Sequence, residues 1–222
     1  MKPDEVEDFK ITLIRFLLNY FTRFSLAGIA VYVCWIPIQN YNYWFSWHVI
    51  LCTFAYVPLM AEAIMLFTGD EIWITQLSKD TKNKIHGILI AVASVFTIIG
   101  SFVCFFNIQP GYHLYTAHGI TGLISMLLIF VSLGLGWAAQ YLKDPPGIIY
   151  PIHIKLSHNV IGMLAYLFGL MSLCFGYYTR WFVYFTTVES RAVALVFTII
   201  ASAWTLNGAI VSGYNQINTF FN

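Results

Sequence analysis

Charge is what this sequence has least of. Only 9% of its 222 residues are Asp, Glu, Lys or Arg, while 59% are hydrophobic; a soluble domain carries about a quarter charged residues. So little polar material cannot cover a water-exposed globule, and the bilayer is the expected solvent. A net charge of +1 leaves no electrostatic basis for a nucleic-acid partner. Cysteine is scarce too. Cys34, Cys52, Cys104 and Cys174 lie inside apolar stretches without metal-ligand spacing, which excludes a zinc framework. They read as buried, inert thiols, with a disulfide left open because all four fall in the same half of the expected topology. A cleavable leader pattern is missing as well: residues 1–10 are charged and acid-rich, so the first apolar stretch is expected to act as an uncleaved signal-anchor.

What the chain does have is six apolar runs, at about 16–38, 45–67, 86–106, 115–139, 157–178 and 192–213. Each is close to the ~20 residues a helix needs to cross ~30 Å of hydrocarbon. They do not alternate as barrel strands do, and in lipid every backbone amide must be bonded within the protein, which for such runs means a helix. The expected fold is an all-α membrane protein of six transmembrane helices, a single domain over 1–222 with its core at 16–214. Tight turns are expected at Gln109-Pro110-Gly111 and Asp144-Pro145-Pro146-Gly147. Aromatic girdles are expected at Trp44, Phe45 and Trp47, and at Tyr177, Tyr178 and Trp181.

The cations are unevenly placed. Lys2, Lys10, Arg15, Arg23, Lys79, Lys82, Lys84, Lys143 and Lys155 fall on one side of this topology, and only Arg180 and Arg191 on the other. The positive-inside rule then places both termini in the cytosol.

Four of the six histidines, His48, His86, His118 and His158, each stand near the start of a different run. Their spacings of 38, 32 and 40 residues each match one crossing plus a short loop. Because consecutive crossings alternate in direction, His48 and His118 share one depth, away from the cytosol, and His86 and His158 share the other. A histidine in a membrane helix is a functional candidate whose partner must be named. Two imidazoles at each of two depths is what two stacked bis-histidine haems require. The second to fifth spans would then form a four-helix dihaem bundle. The plainer reading is four satisfied polar residues packing between helices, and a haem-free transporter or proton pathway using these histidines and Glu62 is the alternative of a different class.

Small residues favour the cofactor reading. Gly87 and Gly119 follow two of the histidines, and Gly122 and Gly162 lie one turn after His118 and His158. Gly100, Ser132 and Ser172 each stand fourteen residues after a histidine, about 21 Å along a helix, at the depth of the other pair. Each is expected to face the haem that its own helix does not ligate. No two histidines stand about four turns apart in one run, which sets the chain apart from b cytochromes whose ligands share a helix. Glu62, fourteen residues past His48, is expected near the cytosolic pair as a propionate neighbour, proton site or hydrogen-bond partner, protonated if buried unless paired. His113 and His153 read as interfacial.

These motifs resemble the cytochrome b561 family of transmembrane ascorbate-dependent oxidoreductases. Phe45-Ser46-Trp47-His48, Ala61-Glu62-Ala63-Ile64, Lys84-Ile85-His86-Gly87, Thr116-Ala117-His118-Gly119, and Lys155-Leu156-Ser157-His158 with Gly162 are similar to its successive helix motifs, and the resemblance covers about 16–214. It is closest to the short, domain-containing members of the type-2 kind. The resemblance implies two haem b groups per chain, with iron held by His86 and His158 on the cytosolic side and by His48 and His118 on the other. It implies electron transfer from cytosolic ascorbate to monodehydroascorbate or ferric iron across the membrane, hence a monodehydroascorbate or ferric reductase activity. Lys79, Lys82, Lys84, Lys155 and His113 are the candidate substrate residues. It also implies an endomembrane, in the endoplasmic reticulum or a vesicle, rather than the plasma membrane, and it allows a homodimer. The chain departs from the family pattern at Val49, where proline is usual, at Thr68, where arginine is frequent, and at Asn83, where lysine is usual.

Overall fold

In a computed structural model, residues 3–68, 72–109, 112–141 and 151–221 are described. Lys2, Asp70, Glu71, Lys143, the Pro110-Gly111 turn and the Asp144–Gly147 turn lie outside them. The described chain forms α1 (Pro3–Gln39), α2 (Tyr43–Met65), α3 (Ile72–Thr75), α4 (Lys79–Asn107), α5 (Ala117–Tyr141), α6 (Pro151–Gly176), α7 (Arg180–Phe185) and α8 (Val188–Phe221). Six of these, α1, α2, α4, α5, α6 and α8, are long and apolar enough to cross a membrane, as the six runs imply.

The helices outrun the apolar runs for local reasons. α4 begins at Lys79 rather than near 86 because Ser78 caps it, its hydroxyl accepting the Thr81 N–H at 3.1 Å. His86 therefore sits two turns inside the helix, with Lys79, Lys82 and Lys84 on the turns before it. α2 is not uniform: Ala55–Met60 winds as a π-helix around Pro58. Proline has no N–H to give the preceding turn, and a wider turn accommodates the missing bond.

Polarity is arranged inside out. Phe24, Val31, Ile88 and Trp137 point outward, while Asn19, Thr22, Thr53, Thr97, Ser125, Thr198 and Thr205 are buried. That suits a hydrocarbon exterior, where packing and interhelical hydrogen bonds, rather than expulsion of water, hold helices together. α2, α4, α5 and α6 form the central bundle, with close packing of α5 on α6 and of α2 on α4. The outer helices are tied to it and to each other through polar contacts. Arg23 on α1 pairs with Glu62 on α2 at 2.7 Å, Trp204 Nε1 on α8 donates to Asn19 Oδ1 at 2.7 Å, and Tyr32 donates to Ser190 Oγ at 2.8 Å. Arg23 is thus an ion-pair partner within a membrane span. Arg191 is buried as well, its guanidinium donating to the Val183 and Thr186 carbonyls at the end of α7.

Candidate functional site

The four histidines of the second to fifth spans are brought together in two pairs. The His48 and His118 ring centroids are 5.8 Å apart with planes at 88°. Those of His86 and His158 are 6.0 Å apart at 82°. Each pair joins one helix of the α2–α4 hairpin to one helix of the α5–α6 hairpin.

Each imidazole has its Nδ1 engaged. His48 Nδ1 donates to the Gly100 carbonyl at 2.9 Å, His86 to Ala63 at 2.9 Å, His118 to Ser172 at 2.8 Å and His158 to Ser132 at 3.0 Å. These bonds fix the tautomer and leave Nε2 with a free lone pair, the state of a metal-ligating histidine with its outer-shell partner. The fourteen-residue offset thus acquires another meaning. Gly100, Ser132 and Ser172 stand at the depth expected, but their carbonyls receive the histidines of the neighbouring helix. In α2 the corresponding residue is fifteen positions on, Ala63 instead of Glu62, because the π-turn at Pro58 takes up one extra residue.

Glycines complete the seats. A Cβ at Gly136 would stand 2.9 Å from His158 Cε1, and one at Gly176 would stand 3.3 Å from His118 Nδ1. Both were missed in the sequence, although each lies eighteen residues after a histidine and one turn after the serine that receives the imidazole. Gly122 and Gly162 serve the helix–helix contact: a Cβ there would meet Ser172 Oγ at 3.1 Å and Ser132 Oγ at 3.3 Å. A Cβ at Gly87 meets nothing within 4 Å, and one at Gly119 meets Thr116 Oγ1 at an ordinary 3.6 Å.

Among the described residues no group of three or more His, Cys, Asp or Glu side chains stands ready to hold a metal ion. A bare ion therefore finds only two protein ligands in each pair. A metal about 2.0 Å from each of two facing Nε2 atoms separates ring centroids by roughly 6 Å, which is the spacing found. The donor set thus fits a group that brings its remaining metal ligands with it, and a haem does so.

The other candidates are more dispersed. Lys79, Lys82 and Lys84 line the first turns of α4, with Lys84 paired to Asp80 at 2.7 Å in solvent. Asn83, at the lysine position of the motif, contacts Gln140 Oε1 at 3.5 Å. Lys155 borders a groove of about 620 Å³ with Phe67, Ser212, Asn215 and Gln216, and the Phe67 ring lies 5.4 Å from His86. His113 stacks on Phe105 at 4.4 Å, on the His48 side, and His153 is half-buried in the first turn of α6. The aromatic girdles meet above His48: Phe45 lies 5.9 Å from its ring and 4.9 Å from Trp181. All four cysteines are free, with Cys52 Sγ 3.7 Å from His48 Nδ1.

A six-span helical bundle presenting paired imidazoles at two depths has the architecture of a transmembrane cytochrome. The profile of eukaryotic cytochrome b561 matches residues 47–183, and the chain belongs to that family of b-type haem proteins. It is similar to the transmembrane reductase CYB561D2 of Mus musculus, with 29% identity over 173 residues, 73% of this chain and 74% of that protein. It is 30% identical over 116 residues to the plasma membrane ascorbate-dependent reductase CYBRD1 of Mus musculus, covering 50% of this chain and 39% of that protein. It is 28% identical over 144 residues to the probable ascorbate-specific transmembrane electron transporter 1 of Oryza sativa subsp. japonica, covering 62% and 58%. No solved structure matches the chain significantly.

Proposed function

We propose that this protein is a transmembrane oxidoreductase holding two b-type haems, one between His86 and His158 and one between His48 and His118, and passing electrons from ascorbate on the lysine-rich side to an acceptor on the other. The observation that carries the reading is the pair of imidazole pairs, each near 6 Å with both Nδ1 atoms fixed on carbonyls. Haem, when bound, supplies a reversible one-electron iron couple. With two imidazoles committed to each group, the protein would leave no position for substrate to ligate, so the chemistry supplied there would be electron exchange rather than oxygen activation.

The donor reading is supported by chemistry at the lysine-rich end. Lys155, Ser212, Asn215 and Gln216 set one cation beside neutral hydrogen-bonding groups along a groove that Phe67 connects to His86. A small polyhydroxylated anion such as ascorbate suits that lining, and Lys79, Lys82 and Lys84 add positive potential at the same end. The relatives' names, ascorbate-dependent reductase and ascorbate-specific electron transporter, point the same way. His113 is the proposed contact for the acceptor, monodehydroascorbate or a ferric chelate, at the opposite end.

The excess of cations on the donor side makes that side cytosolic. Electrons leaving a negative cytosol are driven by the membrane potential, by about 2.3 kcal/mol per 100 mV for each charge. An endomembrane location and a single domain over 1–222 complete the proposal.

The test is reconstitution in vesicles with ascorbate trapped inside and ferricyanide outside. Protein oriented with the lysine-rich end inward should reduce the external acceptor, and replacing His86 or His158 should stop it. A protein that binds no haem, or whose haem stays oxidised with ascorbate on both sides, refutes the reading. The first of those results would favour a haem-free transporter.

A further inference from the structure

Between the two imidazole levels lies a layer that ligation does not use. Tyr56 stands eight residues after His48 and seven before Ala63. Ser125 is midway between His118 and Ser132, and Ala165 midway between His158 and Ser172. At 1.5 Å per residue each is about 10 Å along its helix from both levels. All three are buried, and they are bonded in series: the Tyr56 hydroxyl meets Ser125 Oγ at 2.7 Å, and the Ser125 hydroxyl donates to the Ala165 carbonyl at 2.6 Å. The Tyr56 ring reaches this place only because Gly169 has no side chain; a methyl there would fall inside the ring. Tyr56 itself sits in the π-turn of α2.

The contacts that support the imidazoles run within hairpins. α2 and α4 exchange histidine-to-carbonyl bonds, as do α5 and α6. The imidazole pairs, in contrast, run across hairpins, so their separation depends on how far the two hairpins stand apart. At the midplane the Tyr56 ring packs against α6 at Gly169 and its hydroxyl bonds Ser125 on α5.

We propose that Tyr56 is a positioning residue for both centres at once, tying the α2–α4 hairpin to the α5–α6 hairpin at equal distance from the two pairs. The proposal rests on the two-haem reading above. A tie at the midpoint has a signature that a local packing residue lacks, because disturbing it moves both centres together.

The experiment is potentiometric titration of the purified holoprotein, followed optically and by the low-spin ferric EPR signals, for the wild type and for Tyr56→Phe, Tyr56→Leu, Gly169→Ala and the Tyr56→Leu/Gly169→Ala pair. Tyr56→Leu and Gly169→Ala should each shift both midpoint potentials and both EPR signals in concert. Tyr56→Phe keeps the ring and should shift them less. In the double variant the new methyl no longer meets a ring, so part of the Gly169→Ala effect should be recovered. If Tyr56→Leu does not accumulate with haem, Tyr56→Phe and Ser125→Ala, each lacking one hydroxyl of the series, must still shift both centres alike. A shift confined to one centre, no shift in either, or no recovery in the double variant overturns the proposal. A wild type lacking two haem signals would instead refute the two-haem reading before any variant is compared.

Discussion

In the α5–α6 hairpin each imidazole is seated by a serine and a glycine one turn apart, Ser132 with Gly136 and Ser172 with Gly176, on unbroken helices. In the α2–α4 hairpin the same task falls to Gly100 and Ala63, without a serine hydroxyl and with a π-turn at Pro58 interposed. The carbonyl in reach of Nδ1 is what the two hairpins share, so the backbone bond is the requirement and the side chain around it is free to differ. The α5–α6 hairpin meets it with a fourteen-residue repeat in both helices, whereas the α2–α4 hairpin keeps that repeat in α4 and adjusts helix pitch in α2. The regular one adds a second oxygen, since the hydroxyls of Ser172 and Ser132 lie 3.1 and 3.3 Å from His118 and His158 Nδ1.

The comparison breaks most sharply at the glycines. Gly136→Val or Gly176→Val would drive a branched side chain into an imidazole, and each should remove one haem of the two, read as the haem-to-protein ratio. Gly134→Ala, which meets nothing within 4 Å, should leave that ratio unchanged. Next in size is Pro58→Ala. A regular α-helix there would return the offset towards fourteen and withdraw the Ala63 carbonyl from His86. Loss of such an outer-shell partner typically costs 10–100-fold in affinity, so haem at the His86–His158 level should dissociate at least about tenfold more readily while the other level holds. A haem-transfer assay to apomyoglobin measures both.

Ser132→Ala and Ser172→Ala test the extra oxygen. The carbonyl bond survives, so each should cost only about 0.5–1.5 kcal/mol, the net worth of one hydrogen bond, seen as a modest fall in thermal midpoint with two haems retained. The smallest effect belongs to Lys84→Ala. Its partner Asp80 is exposed, and solvent screens such a pair almost completely; stability should not change measurably, whereas the KM for ascorbate should rise if Lys84 attracts the donor.

The legible part of the molecule is the part governed by period and direction. Six apolar lengths give six spans, and histidines near the starts of alternating spans fall at two depths whatever the packing. The offsets of Gly100, Ser132 and Ser172 were readable too, but not what they receive, because an offset fixes height on a helix and not which neighbour is met. The π-turn was hidden: Pro58 inside an apolar run does not announce whether the helix kinks, ends or widens, and so Glu62 was expected at the height that Ala63 occupies. Arg23 was counted only among the cations of one side, because hydropathy cannot reveal that a carboxylate on the next helix waits at the same depth. The groove beside Lys155 depends on the rotation of α8 against α6, which no local pattern encodes.

The central claim is that each imidazole pair holds one haem. The haem content of the purified protein, from the alkaline pyridine spectrum against protein concentration, tests it most directly. Two b-type haems per chain, falling to one when His118 or His158 alone is replaced by leucine, is the result the account predicts. One haem per chain in the unaltered protein, or none, would contradict it.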